Sequence, residues 1–322
     1  MRAICNEKYG LPHELQLKEM ERPIPKPNEV LVEVHAASIN SWDWDYLTGK
    51  PLIYRLLFGL FGPKHKILGA DIAGQIVSIG EKVKLCKPGD LVYGDLSSYN
   101  WGGFAEFVCA DEKLLSVKPG DLTYEEAAAV PQAGVLALQG LLCNGDIQPG
   151  HKVLINGAGG GVGTFAVQLA KLWGAEVTAV DRFEKLELLR ALGADHVIDY
   201  QQEDFTKSEK KYDLILDVIA QKPLSRYKNV LNPNGALVVV GGSVKLLLKL
   251  AVASLFSKNS DKKMGILVHK PNRQDLKVLQ ELLESGKLKP VVDKCFPLDK
   301  TTDAFEYYGK GLAKGKIVIT IP

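Results

Sequence analysis

At 322 residues the chain is long enough for two domains, each with its own apolar core. Apolar residues make up 46% and charged residues 24%, proportions of a folded globular protein rather than a disordered or fibrous one. The 40 basic and 38 acidic residues leave a net charge of +2, which excludes an electrostatic case for nucleic acid as partner.

The chain opens directly into an apolar strand at Met1–Cys5, with no signal-peptide core, and no later apolar run has the length of a membrane span. Val30–Ala36, Ile72–Ile79 and Phe104–Cys109 read as short strands, and Lys87-Pro-Gly-Asp90 and Lys118-Pro-Gly-Asp121 as turns between segments. Glu125–Leu142 is helical in character and interrupted near Pro131. Cys5, Cys86, Cys109, Cys143 and Cys295 are scattered, without a C-x-x-C pair or a histidine at metal spacing, so they read as reduced thiols in a cytoplasmic protein. His35, His65, His151, His196 and His269 likewise show no relay or metal spacing.

From Lys152 the rhythm becomes strand and helix in alternation. Strands are expected at Lys152–Asn156, Glu176–Val180, His196–Ile198, Tyr212–Ile219, Ala236–Val240 and Gly265–Val268, which predicts a doubly wound parallel sheet. Its first turn carries Ala158, Gly160 and Gly163 as A-x-G-x-x-G, followed by a helix over Thr164–Leu172. Small residues there permit a tight turn, close backbone approach to a pyrophosphate and close packing of helix on strand. The helix N-terminus, with Gly161 and Val162, offers free N–H groups to the phosphates. Asp181 ends the next strand, roughly where a ribose-binding acid belongs. Gly241 and Gly242, after a later strand, can approach a nicotinamide at the sheet's carboxyl edge. Arg273–Glu284 reads as an amphipathic helix and Lys316–Ile321 as a closing strand; neither continues the alternation.

The order of Asn40-x-x-Asp43, Leu68-Gly-Ala-Asp-Ile-Ala-Gly74, Gly102-Gly-Phe-Ala-Glu106, Ala128-Ala-Val-Pro131, Gly160-Gly-Val-Gly163, Leu192-Gly-Ala-Asp-His-Val-Ile-Asp-Tyr200 and Gly315-Lys-Ile-Val-Ile319 resembles the zinc-independent quinone oxidoreductase branch of the medium-chain dehydrogenase/reductase superfamily. The resemblance spans essentially the whole chain. It implies a GroES-like β-barrel catalytic domain from residues 1–124 and 269–322, and an inserted Rossmann NAD(P)-binding domain over 125–268. Zinc members of the superfamily carry a Cys where this chain has Asn40, Gly-His-Glu where it has Gly69-Ala70-Asp71, and a second Cys near Gln132. With those ligands gone the chain is expected to use no zinc. Without a Lewis acid a plain alcohol is hard to oxidise, whereas an electron-poor acceptor takes hydride at carbon and spreads charge onto an oxygen that hydrogen bonds can hold.

The resemblance places Asn40 and Asp43 between nicotinamide and substrate. Asn40 would donate to an acceptor oxygen, and Asp43 would orient Asn40 or bind the nicotinamide ribose; the competing reading is an Asn/Asp cap on the next helix. Relatives often have Tyr at the position of Asp45, so Tyr46 is the nearest candidate proton donor, with solvent as the other source. Trp42 and Trp44 line a pocket or simply pack. At the adenosine end Asp181 argues for NADH, while Arg182, Lys185 and Tyr200 match positions that grip a 2′-phosphate; the resemblance favours NADPH. The expected activity is hydride transfer from NAD(P)H to a quinone or another lipophilic acceptor. A 2-alkenal or enone reductase is the alternative, and a non-catalytic dinucleotide-binding protein is the alternative of another class. The apolar stretches Pro51–Phe61 and Val244–Phe256 edge the cleft, meet a membrane surface, or pack on each other or in a homodimer, which the resemblance implies through the strand near Gly265–Val268.

Overall fold

A computed structural model describes residues 1–242, 246, 250 and 262–322. The chain forms two compact units: Met1–Ala133 with Pro271–Pro322, and Gly134–Lys270. The crossing between them falls at Gly134 rather than at residue 125, because the helix α3 (Tyr124–Ala128) packs on strands of the first unit. Thr123 caps that helix by accepting from Glu126 N while the Glu126 carboxylate reaches back to Thr123 N, which sets its start. Pro131 begins a separate helix, α4 (Pro131–Leu138), so the interruption expected there is present.

The first unit is built on a seven-stranded sheet. Its spine is β3 (Glu29–Ser38), paired antiparallel with β4 (Asp71–Ile79), β6 (Phe107–Asp111) and β15 (Lys316–Thr320). Surrounded in this way, β3 is buried along nearly its whole length, with only Glu33 and His35 partly exposed, which explains the apolar Val30, Leu31, Val32, Val34, Ala36 and Ala37. Val32, Val34, Ile72, Ile76, Phe104, Phe305, Ile317 and Ile319 share one core. Two strands from widely separated parts of the chain, β3 and β15, therefore lie side by side, and that pairing brings residue 316 to residue 40. Between β3 and β4 runs α1 (Ser41–Thr48), closed at its C-terminus by Gly49 in a left-handed conformation.

The second unit is the doubly wound parallel sheet expected from the sequence. Its six strands run β10 (His196–Asp199), β9 (Glu176–Asp181), β8 (Lys152–Asn156), β11 (Tyr212–Asp217), β12 (Leu231–Val239) and β13 (Lys263–Ile266), every pairing parallel. The order reverses between β9 and β11 around β8, and it is at such a switch point that these sheets bind nucleotides. Leu154, Val180, Ile215, Leu237 and Val239 form the core with Phe205 and Tyr227. Leu246 and Leu250 join that core; the rest of the expected 244–256 segment, apart from those two residues, lies outside the described residues.

Candidate active site and coenzyme cradle

In the first unit, α1 and the start of β4 gather a set of buried polar side chains. Asp43 sits in the first turn of α1 with no exposed surface, and its carboxylate accepts from Asn40 N at 2.8 Å and from Gly69 N at 2.9 Å. The helix-cap reading is thus correct for Asp43. Gly69 is needed at its own position: its φ is +91°, and a Cβ there would stand 2.7 Å from Phe104 N. Burial pushes the Asp43 carboxyl up to about 7, against the pull of those two N–H donors.

Asn40 spends its side chain elsewhere. Its Oδ1 accepts from Lys316 Nζ at 2.5 Å, and its Nδ2 donates to Asp71 Oδ2 at 2.9 Å. Lys316 Nζ also lies 3.4 Å from Asp71 Oδ2. The Asp71 carboxylate accepts further from Ser38 Oγ at 3.2 Å and, on its other oxygen, from Gln132 N at 3.1 Å. Lys316 and Asp71 are both buried, a placement tolerable only because each is paired and hydrogen-bonded. Burial drives the Lys316 ammonium pKa down, and the Asp71 and Asp43 charges oppose that shift. Burial drives Asp71 up to about 6, opposed by Lys316. The amide of Asn40 is consequently fixed at both ends. An amide nitrogen carries two hydrogens, so one N–H remains for an incoming oxygen. Gln132, whose backbone N–H binds Asp71, has its Nε2 buried with no hydrogen-bond partner.

Sequence reading did not give Lys316, Asp71 or Gln132 a role. The available signal was Lys316 itself: a single cation opening the apolar run Ile317–Ile321, directly after a glycine. A buried strand accepts a charge only where a counter-charge awaits it.

Tyr46 is a correction. The proton donor expected there is a core residue, stacked on Phe58 with ring centroids 4.4 Å apart. Its hydroxyl donates to Phe58 O at 3.2 Å and accepts from His65 N at 2.7 Å, so it holds the following loop in place. Asp45 is half-buried, and burial pushes its carboxyl up to about 7. Trp44 packs on Tyr308 and over Gly309, whereas Trp42 remains partly exposed.

In the second unit the glycine turn follows β8 and leads into α5 (Gly161–Leu172), three residues earlier than the expected start at Thr164. Gly160 is the N-cap residue, and the first amides of α5, from Gly161, Val162 and Gly163, have no intrahelical acceptor. A Cβ on Gly163 would lie 2.4 Å from Ala158 Cα and 2.4 Å from Gly157 O, so only glycine lets the helix sit against the turn. On Gly160 the nearest atom would be Gly157 O at 3.5 Å, which leaves space beside the cap. The turn therefore fits a pyrophosphate: open at Gly160, with unpaired N–H groups at a helix N-terminus.

Asp181 ends β9, and its carboxylate faces inward. Oδ2 accepts from Gly159 N at 2.7 Å, Oδ1 accepts from Arg182 N at 2.9 Å, and Lys185 Nζ stands 3.7 Å away. Lys185 is itself buried against the turn: a Cβ on Gly159 would come within 2.5 Å of its Cδ. Lys185, which the resemblance matches to a 2′-phosphate grip, thus stands as a buried counter-charge to Asp181. Arg182 Nη2 lies 3.5 Å from the hydroxyl of the exposed Tyr200. Gly241 and Gly242 follow β12, with Gly242 against Ala220, where a Cβ would meet Ala220 O at 2.7 Å. Nearby, Asp217 ties the ends of β8 and β11 together by accepting from Asn156 Nδ2, Ile219 N, Ala220 N and Tyr227 Oη.

Comparison with known proteins agrees with this architecture. Residues 26–121 match the family described as alcohol dehydrogenase GroES-like domain, and residues 192–319 match the zinc-binding dehydrogenase family. The chain is 36% identical to quinone-oxidoreductase QR1, chloroplastic, of Triphysaria versicolor, covering 99% of this chain and 98% of that protein. It is also 36% identical to 2-methylene-furan-3-one reductase of Solanum lycopersicum, over 99% of this chain and 79% of the relative. The structure of the quinone oxidoreductase from Coxiella burnetii superposes with a TM-score of 0.89 at 28% identity, covering 100% of this chain and 99% of that one.

Proposed function

The chain belongs to the quinone oxidoreductase branch of the medium-chain dehydrogenase/reductase superfamily, an NAD(P)H-dependent oxidoreductase, and on that premise we propose that it reduces a quinone without zinc. The observation that carries this reading is the Asn40 amide held between Lys316 and Asp71 with one N–H left over. A quinone or activated alkene gains negative charge on oxygen as hydride arrives at carbon, and a preset donor stabilises that charge. NAD(P)H, when bound, supplies the hydride. Asn40 orients the acceptor and receives its developing charge, while Lys316 and Asp71 hold Asn40 still. Gln132, whose backbone N–H holds Asp71, also carries a buried, unpartnered Nε2 that is available as a second amide donor. Burial raises both Asp43 and Asp45 to about 7, but Asp43 is fully buried and held by two backbone N–H groups, which leaves the half-buried Asp45 to carry a proton as general acid near neutral pH.

Zinc independence is supported by the chemistry of the donors. Asn40 offers an amide, the Asp71 carboxylate is engaged by Lys316, Asn40, Ser38 and Gln132 N, and among the described residues no cluster of three His, Cys, Asp or Glu can hold a metal ion. The NADPH preference is supported by the inward turn of Asp181, which spends both carboxylate oxygens on backbone N–H groups, and by Arg182 beside Tyr200. With Lys185 as its counter-charge, that inward-turned carboxylate repels a 2′-phosphate less, while an arginine holds a phosphate in fork geometry. A homodimer through the edge strand β13 completes the reading. The thiols of Cys5, Cys86, Cys109 and Cys295 are free, in keeping with the reducing cytoplasm. The tomato relative, a reductase of an exocyclic enone by its name, favours enone reduction as a second reading.

The test is loss of nicotinamide absorbance on mixing the protein with NADPH or NADH and either a small quinone or a 2-alkenal, with a chelator present. Chelator-resistant oxidation of NADPH by the quinone is expected. Turnover with the alkenal alone would move the assignment to an enone reductase, and coenzyme binding without turnover would leave a non-catalytic binder.

A further inference from the structure

The segment that follows α1 carries an unusual surface. Leu52, Ile53, Leu56, Leu57, Leu60 and Phe61 are all exposed, Leu56 and Leu57 at 71% and Phe61 at 100%. Single exposed apolar side chains are ordinary, but six within ten positions form a contiguous patch of the kind that marks an interaction surface. They belong to a short 3-10 turn, Leu52–Tyr54, and the helix α2 (Arg55–Phe58), with Gly59–Phe61 beyond it.

This is a mounted element rather than a frayed loop. Phe58 points inward and stacks on Tyr46. Tyr9 Oη donates to Gly59 O at 2.6 Å, Lys64 N donates to Phe58 O at 2.7 Å, and Arg55 Nε donates to Gly49 O at 3.1 Å while its guanidinium lies over the Tyr9 ring. The underside is fastened by hydrogen bonds and aromatic packing, and the outer side presents bare leucine and phenylalanine.

Charge identifies the partner. From Tyr46 to Ala70 the chain has no acidic residue, while Lys50, Lys64 and Lys66 are exposed around the patch. The neighbouring Glu7 is already paired with Lys18 at 2.6 Å. A second copy docking patch to patch about a two-fold axis would bring together two basic segments with no acidic residue between them, a like-charge arrangement. An anionic bilayer meets both features: acyl chains accept the leucines and Phe61, and headgroups accept the lysines. The half-exposed Trp42, edge-on to Phe58, sits beside the patch as tryptophans do at the level of lipid headgroups.

We propose that residues 50–66 are a peripheral docking element for an anionic lipid surface, and that the protein meets its lipophilic acceptor there. The docking stands on the patch alone; delivery of the acceptor rests on the quinone reading above.

Vesicle sedimentation of the full chain tests it, with phosphatidylglycerol-containing and pure phosphatidylcholine vesicles at low and high salt. The wild type is expected to sediment with the anionic vesicles and about tenfold more weakly with neutral ones or at high salt. The triple variant L56S/L57S/F61S and the double variant K64E/K66E should each lose about tenfold in binding. Circular dichroism melts confirm that both variants fold. NADPH oxidation by a short-chain soluble quinone should be unchanged in the triple variant, and oxidation by a long-tailed quinone within vesicles should fall. Absence of binding to anionic vesicles, or equal binding by the variants, overturns the proposal. So does a wild-type dimer that dissociates in the triple variant during ultracentrifugation, which assigns the patch to a second copy. Vesicle binding without turnover of any quinone leaves the docking intact and removes the activity; turnover without vesicle binding does the reverse.

Discussion

Lys316 Nζ donates to Asn40 Oδ1 across a sequence separation of 276 residues, and this contact decides which end of the Asn40 amide is left for chemistry. With the oxygen held by an ammonium and one hydrogen held by Asp71, the amide cannot flip without losing both bonds. Its free N–H is a fixed donor.

Lys316→Met is expected to lower kcat/KM for the acceptor by about 10–100-fold, because Asn40 loses its orientation. The same change leaves Asp71 buried without its counter-charge, a loss of about 3–5 kcal/mol in stability. Adding Asp71→Asn should recover most of the stability and none of the turnover. Lys316→Arg should recover part of each. Steady-state kinetics with thermal melts separates the two roles, and full activity in Lys316→Met would refute the positioning role.

Arg182→Ala is expected to raise KM for NADPH by at least about tenfold and leave KM for NADH unchanged, since only the 2′-phosphate needs the guanidinium. Equal effects on both coenzymes would mean that Arg182 acts through the turn and not through the phosphate.

The two glycines of the turn should fail in different ways. Gly163→Ala forces a Cβ to 2.4 Å from backbone atoms that cannot give, so the second unit is expected to lose at least about 2 kcal/mol and its coenzyme together. Gly160→Ala meets nothing closer than 3.5 Å and should melt like the wild type while binding coenzyme more weakly, because the methyl occupies the approach of the pyrophosphate. Calorimetry and coenzyme titration of both variants check the contrast.

Asp43 makes stability depend on pH in a direction unusual for a carboxylate. Burial raises it from 3.8 to about 7, so the folded chain holds this proton more tightly than the unfolded chain. Its contribution is therefore complete below about pH 4 and is lost as pH rises through about 7. In Asp43→Asn nothing titrates there. The wild type should lose stability relative to that variant between pH 4 and 8, by a few kcal/mol in order of magnitude. Parallel melting curves across that range would contradict the raised value.

Asp45→Asn should slow acceptor reduction at neutral pH, and the wild-type rate should fall as pH rises past about 7 along a limb that the variant lacks. Identical profiles would assign the proton to solvent.

The parallel sheet was legible because its cues are local: apolar strands, a turn of small residues and a helix recur within a few dozen residues, and each element confirms the next. Asn40 and Asp43 came instead from the family resemblance of their motif, not from such local cues. That resemblance could not show that Asp43 caps a helix while Asn40 reaches away from it, because a cap and a clamp use the same residue types. Tyr46 differs from expectation for a similar reason: the resemblance points to the nearest ring hydroxyl, not to whether a carbonyl and an amide already occupy it. Asp181 stood where a ribose-binding acid belongs, yet its side chain turned to Gly159. Lys316 announced itself as a cation in an apolar strand, but its partners were beyond reach of pattern reading, since Asn40 and Asp71 meet it only in the assembled sheet.

The pairing of β15 with β3 also sets a schedule. Unit 134–270 is contiguous and can close on itself while synthesis continues, as inserted domains do. Asn40, made early, must wait for residue 316 before its amide is held. Until then the protein would carry a finished coenzyme cradle and an unset acceptor donor, so on the ribosome the ability to bind dinucleotide should arise before the ability to use it.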